Sequence, residues 1–292
     1  MAMVRIGKTA LGVIALVLAS GGTSPKQQCA TDPQIASAAR AWAARIQQPP
    51  LTVAWADAPC FRNALLARLT PTLGPIVGYK VGVWTKAAQV TNGASGPVVG
   101  VLHKGMMLPE DKPVPVSFAF SPMAEADFLV IVGDEGINMA STREEAYRHL
   151  RGYRPFIELP DNHYPPETKA DIARLVALNV NARAGIMGKE IPLRQTPEGF
   201  AGLAGLSVSV TLRTPAGVQL SSGKSAETLG DPLDIVLTTR DLLRDEGITL
   251  KRGDVISLGT LTPPHQPVAG ETMSVRYSLG DQTSDIEASF KP

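Results

Sequence analysis

Glu125 and Asp127 stand two residues apart at the head of an apolar run, in the stretch Met-Ala-Glu-Ala-Asp-Phe-Leu-Val-Ile-Val. Residues i and i+2 of a strand share a face, so both carboxylates point the same way beside residues 128–132, which belong in a core. Two anions at a core edge repel each other and lose hydration. A divalent cation, a partner charge or a proton removes that cost. Glu158, in Arg-Pro-Phe-Ile-Glu-Leu-Pro-Asp, offers a third carboxylate in a short strand-like segment. Three carboxylates plus water make the hard oxygen shell that Mg²⁺ or Mn²⁺ takes, with positions left over for a bidentate ligand. Acids at this spacing also describe an ordinary solvated strand edge, so the spacing alone leaves both readings open. Lys80, in Gly-Tyr-Lys-Val-Gly-Val, is equally two-sided. A strand lysine usually snorkels to solvent, but flanking glycines admit close approach, and a lysine beside an oxyanion would stabilise an enolate. His103, His149, His163 and His265 are scattered without ligand spacing, which disfavours zinc.

The elements that must position these groups fall into two textures. Residues 32–47 and 57–69 are rich in Ala, Leu and Arg at helical spacing and are separated by Pro49 and Pro50, which predicts an N-terminal helical layer. From residue 77 onward, short β-branched runs between Gly and Pro predict strands at 77–83, 114–118, 128–132, 156–159, 206–212, 255–258 and 273–277. Helices are predicted at 141–150, opened by a capping box from Ser141 and Glu144, at 166–176 and at 232–246. The fold class is α+β. The strands are too irregularly spaced for a doubly wound parallel sheet, and the absence of an internal repeat or a GxGxxG loop disfavours a nucleotide enzyme.

With 292 residues, 44% of them hydrophobic, and a formal charge of +1, the chain has the composition of an ordinary globular protein. No Lys/Arg run or basic aromatic stripe is present, which argues against nucleic acid and favours a small-molecule partner. Arg5 and Lys8 precede an apolar run at 10–19 and the small residues Ser20, Gly21 and Gly22, which predicts a signal peptide over residues 1–22. The run is short for a membrane span, so the expectation is export to the periplasm with no stable membrane anchor after processing. Cys29 has Lys26 three places before it, which does not suit a lipoprotein anchor. Cys29 and Cys60 are the chain's two cysteines, and in an oxidising compartment they would pair, stapling the first helix to the second.

Six segments in order carry a family resemblance: Gly78-Tyr-Lys-Val-Gly82, Glu125-Ala-Asp-Phe128, Pro155-Phe-Ile-Glu158, Asn181-Ala-Arg-Ala-Gly185, Ser222-Gly-Lys-Ser-Ala-Glu-Thr-Leu-Gly-Asp-Pro-Leu233 and Gly253-Asp-Val-Ile-Ser-Leu-Gly-Thr260. On these the chain resembles the 2-keto-4-pentenoate hydratase and 4-oxalocrotonate decarboxylase branch of the fumarylacetoacetate hydrolase superfamily. The resemblance implies a mixed β-sheet roll, with a helical segment at 23–75 and a catalytic domain at 76–292. It implies Glu125, Asp127 and Glu158 as ligands of Mg²⁺ or Mn²⁺, Asp127 standing where the family has Glu. Lys80 would be catalytic, with Lys80, Asn181, Ser225 and Thr260 binding a small 2-oxo acid, and the protein would form a homo-oligomer.

The implied activity is that of a metal-dependent hydro-lyase acting on a 2-oxo or 2-hydroxydienoic acid through an enolate held at the metal. Three departures bear on it. Val98 stands where the hydratase branch usually has an acid after the proline, Val180 replaces an Asp, and residues 160–166 replace a small polar stretch. Proton transfer would then fall to water, Lys80 or another residue such as His163. The alternatives are an exported binding protein or degenerate hydratase without efficient turnover, and a 2-oxo acid decarboxylase, tautomerase or acylpyruvate hydrolase on the same site.

Overall fold

The computed structural model describes residues 29–292. The segment read as a signal peptide lies outside the described residues. Thr31 caps α1 (Asp32–Ala44), where Pro33 occupies the first turn and Gln34 Oε1 accepts from the Thr31 N–H at 3.0 Å. Arg45, in the left-handed conformation, ends this helix before the expected residue 47. After a 3₁₀ turn, α2 (Ala58–Leu73) runs past the expected residue 69 with Pro71 in its last turn. Cys29 and Cys60 form a disulfide, Cα atoms 5.9 Å apart, joining the approach to α1 with the first turn of α2.

Beyond the helices come β1 (Ile76–Gly82), α3 (Lys86–Asn92), β2 (Val98–His103), β3 (Met107–Leu108) and β4 (Val114–Pro115). The centre of the fold is β5 (Glu125–Val132), α4 (Arg143–Arg148), β6 (Leu150–Leu159), α5 (Ile172–Ala177), β7 (Ala184–Met187) and β8 (Ile191–Pro192). Next are α6 (Pro197–Gly202), β9 (Ser207–Thr214), β10 (Gly217–Lys224), α7 (Ser225–Thr228) and α8 (Pro232–Asp245). The chain closes with β11 (Val255–Thr260), β12 (Thr272–Leu279) and β13 (Gln282–Lys291).

Three expectations need correction. The strand at 114–118 is two residues long and turns into a 3₁₀ segment at Val116–Phe118. The cap of α4 sits one residue later than expected: Thr142 accepts from the Glu145 N–H, and Glu145, not Glu144, accepts from Ser141. The helix expected from 166 starts only at Ile172, where the Asp171 side chain accepts from the Arg174 N–H at 2.9 Å. Pro165 and Pro166 open a turn instead, closed by the Thr168 N–H on the Pro165 carbonyl at 2.9 Å.

The strands form an eight-stranded mixed sheet in the order β2-β1-β11-β5-β6-β7-β3, with β8 on β6, and a five-stranded sheet in the order β10-β9-β12-β13-β4. The larger sheet is covered on both faces, which is why its central strands read as nearly continuous apolar runs. Along β5, Phe128, Val130 and Val132 enter a core shared with Val208, Val275 and Tyr277 of the smaller sheet and Leu233 and Leu243 of α8. Leu129 and Ile131 enter a second core with Phe61, Leu65 and Leu69 of α2 and Val176 of α5. Alternation along the strand therefore puts Glu125 and Asp127 on the helix-covered face.

Candidate metal centre

Antiparallel pairing of β5 with β6 sets Glu125 opposite Glu158, with Asp127 two residues further along. One carboxylate oxygen from each of the three lies within 4.8 Å of the others. Asp127 and Glu158 are buried and Glu125 is partly exposed. On the other side of β5, the register with β11 slips between Ser257 and Thr260, where Gly259 takes φ +98°. This one-residue bulge presents both Ser257 and Thr260 to the site. Ser257 Oγ donates to Asp127 Oδ2 at 2.7 Å. Lys80 is Ser257's register partner on β1, and its ammonium forms an ion pair with Glu158. The glycine after it serves close approach, since a Cβ at Gly82 would lie 2.3 Å from Val180 Cγ1.

Burial, with Glu158 nearby, pushes the Glu125 carboxyl up to about 7 against the opposing pull of Lys80. Burial and the same acidic neighbours push Asp127 well above the usual range, although Lys80 and the Ser257 hydroxyl oppose them. Burial disfavours the charge on Lys80, but Glu158, Glu125 and Asp127 outweigh it and raise its pKa. Lys80 is thus an ammonium ion, suited to donate hydrogen bonds and ill suited to serve as a base. Fully ionised, the three carboxylates would outnumber the one ammonium by two negative charges, and Asp127 Oδ1 is buried with no hydrogen-bond partner. A buried orphan carboxylate oxygen costs free energy unless something binds it. Oxygen donors, two excess charges and an unfilled lone pair fit a hard divalent cation.

The triad and Lys80 line a cleft of about 730 Å³. Asn181 and Thr260 line it; Asn181 Nδ2 donates to Asn162 Oδ1 at 3.1 Å, and the Thr260 hydroxyl donates to the Thr262 carbonyl at 2.8 Å. Ser225 does not: it is buried at the start of α7 with its N–H on the Leu206 carbonyl, and Ser222 and Thr228 line the cleft instead. His163 is also outside the lining, buried with its N–H on Asp161 Oδ1 at 2.9 Å. Its segment packs under the helical layer, where the Tyr164 hydroxyl donates to the Pro49 carbonyl at 2.8 Å. The remaining histidines pair elsewhere, His103 with the Gly74 carbonyl, His149 with Asp134 and His265 with Glu271.

Val98 and Val180 are both buried and flank Gly82. Asn179, Val180 and Asn181 have φ of 60°, 52° and 58°, three consecutive left-handed residues without a glycine. For β-branched Val180 this is a strained conformation. It is held by the Asn179 side chain, which accepts from the Val101 N–H at 2.7 Å and donates to the Val101 carbonyl at 2.9 Å on edge strand β2. The strain delivers Val180 and Asn181 into the cleft wall. Ser257, Asn179 and Trp84, which lines the cleft beside Leu229, belong to no spacing pattern that marks them in the sequence. A lone serine inside an apolar strand run was the available signal for the first.

A two-sheet α+β roll brings three convergent carboxylates and a lysine into one cleft, which makes a candidate cation site. The chain matches the fumarylacetoacetate (FAA) hydrolase C-terminal family over residues 83–287, and it belongs to that family. The matched stretch contains the triad, Asn181 and Thr260, and Lys80 lies just ahead of it. Among similar proteins, a TodF product hydratase of Pseudomonas putida is 26% identical over 210 residues, covering 72% of this chain and 75% of the relative. A 4-oxalocrotonate decarboxylase of Pseudomonas putida is 26% identical over 204 residues, covering 69% and 74%. The structure of 4-oxalocrotonate decarboxylase from Pseudomonas putida G7, complexed with magnesium and adipate, superposes with a TM-score of 0.75 at 23% identity, covering 89% of this chain and 98% of that one. At that identity the likeness shows the fold.

Proposed function

We propose that the protein is a Mg²⁺- or Mn²⁺-dependent lyase of the hydratase type that acts on a 2-oxo or 2-hydroxydienoic acid through its enolate. The observation that carries this reading is the meeting of Lys80 with Glu125, Asp127 and Glu158 in one cleft, with Asp127 Oδ1 left unpartnered. A divalent cation held by the three carboxylates would supply Lewis acidity to a chelating 2-oxo acid. Lys80 would stabilise the negative charge that develops on the substrate oxygen, helped by its fixed position beside Glu158. Asn181 and Thr260 would orient the substrate carboxylate. Trp84, Val180 and Leu229 form an apolar wall against which the substrate's remote carbons would pack.

A second reading is favoured by one observation: among the described lining residues, nothing titratable stands in the cleft besides Lys80 and the triad. Water addition at a remote carbon needs an acid or base there, whereas decarboxylation loses carbon dioxide without adding water. Keto–enol exchange moves a proton only at the carbon beside the 2-oxo group, and water in the cleft would carry that proton. Absorbance of 2-hydroxypenta-2,4-dienoate followed with Mg²⁺ and with EDTA separates these outcomes. Magnesium-dependent loss of the diene with formation of a 4-hydroxy-2-oxo acid supports the hydratase. Deuterium uptake without hydration, or carbon dioxide release from oxalocrotonate, supports the second reading. With cation occupancy confirmed, no change in either substrate removes both and leaves binding without turnover. We further propose export, supported by Arg5 and Lys8 ahead of the apolar run and by the Cys29–Cys60 disulfide. Recovery of an unprocessed chain from the cytoplasm would refute that.

A further inference from the structure

Tyr277 reaches the carboxylate-bearing strands from the far side of the sheet. It belongs to β12, is fully buried in the core between the two sheets, and contributes nothing to the cleft lining. Its hydroxyl lies 2.5 Å from the Asp127 carbonyl oxygen and 2.8 Å from that of Phe156, to which it donates, and it accepts from the Phe156 N–H at 3.3 Å. Asp127 and Phe156 are register partners on β5 and β6. A buried tyrosine needs one hydrogen-bond partner, and a hydroxyl carries a single proton. Three backbone contacts at the pair next to Glu125 and Glu158 therefore exceed what burial of the phenol requires. Tyr153 provides the contrast. It is equally buried in the same core, and its hydroxyl has no partner. Asp127 also needs outside support, because the β11 bulge interrupts the regular ladder on its other side.

We propose that Tyr277 is a positioning residue for the cation site, its hydroxyl fixing the Asp127 backbone and the β5–β6 separation and so the spacing of Asp127 from Glu125 and Glu158. The Asp127 side chain and the Tyr277 ring lie on opposite faces of the sheet, so the effect passes through the backbone alone. The smaller sheet thereby becomes part of the site's framework. This inference rests on the cation reading of the triad.

The test is calorimetric titration of Mg²⁺ into the parent protein, Tyr277→Phe and Tyr153→Phe, with amide exchange at Phe156 measured in the metal-free proteins. The expected result is a Mg²⁺ dissociation constant raised about tenfold in Tyr277→Phe, with faster Phe156 exchange, and one within about twofold of the parent in Tyr153→Phe. Tyr277→4-aminophenylalanine, which restores a donor, should recover most of the affinity and serves if the Phe variant folds poorly. Affinity in Tyr277→Phe within about twofold of the parent would overturn the proposal, as would an equal loss in Tyr153→Phe. A parent protein that binds no Mg²⁺ would overturn the cation reading itself, an outcome distinct from a parent that binds and a variant that binds as well.

Discussion

Raising the pH without divalent cations should destabilise this protein, and Mg²⁺ should reverse the effect. The Glu125 carboxyl is pushed by burial from an ordinary 4.5 up to about 7, so the folded state holds a proton that the unfolded state releases. A group raised on folding contributes stability that is complete below its unfolded pKa and is lost as pH climbs through the folded value. The window therefore runs from about pH 4.5 to about 7, and Asp127, raised by burial as well, acts with the same sign. The Glu125 rise alone corresponds to about 3 kcal/mol, or about 6–12 °C in melting temperature for a chain of this size. Asp161 has the opposite sign: despite its burial, its bonds from His163 and Ser121 hold it low, and its effect is confined below about pH 4. The assay is thermal unfolding in EDTA and in saturating Mg²⁺ at half-unit steps from pH 4.5 to 8. The melting temperature in EDTA should fall across the window, Glu125→Gln should flatten the slope, and Mg²⁺ should stabilise most at the alkaline end, where the ligands are ionised. A flat or rising melting temperature in EDTA, or a Mg²⁺ effect as large at pH 4.5 as at pH 8, would refute the reasoning.

Asp127→Asn, which removes the carboxylate carrying the orphan oxygen, should weaken Mg²⁺ binding about 100-fold or more by calorimetry while Ser257 keeps a hydrogen-bond acceptor. Lys80→Met should tighten Mg²⁺ binding, because a cation is removed beside Glu158, yet slow enolate formation from a 2-oxo acid about 100-fold or more, measured by deuterium uptake. Equal losses of binding and exchange would point to collapse of the site. Replacing Cys29 and Cys60 together by Ala opens a loop with a sequence separation of 31 and should cost about 3–4 kcal/mol in urea unfolding on the loop-entropy account. A change below about 1 kcal/mol would show that the helical layer is held by packing alone.

The parts of this molecule legible in its sequence are those where one local rule dominates. The strand around Lys80, the apolar run after Asp127 and the helix from Pro232 declare themselves through β-branched runs or helical periodicity, and the first two carry the lysine and two of the acids. Pairing across strands is not a local property. That Glu158 faces Glu125, and that a bulge at Gly259 turns Ser257 toward Asp127, depends on registers between segments far apart in the chain. Left-handed geometry at Asn179, Val180 and Asn181 is opposed by the local preference of Val180 and exists because Asn179 is clamped to β2. Strand β10 escaped because it is an exposed edge strand with no buried face to impose alternation. The substrate-binding role that the resemblance implies for Ser225 meets a residue buried at the start of α7, while Ser222 and Thr228 on either side of it line the cleft.

The central claim is that the triad holds a divalent cation on which the oxygens of a 2-oxo acid converge. Oxalate, a planar chelator resembling the enolate of pyruvate, tests it directly by titration into the protein with Mg²⁺ and with EDTA. Binding that requires Mg²⁺ and disappears in Asp127→Asn is the result this account predicts. Oxalate bound equally well in EDTA, or not at all with Mg²⁺ present, would contradict it.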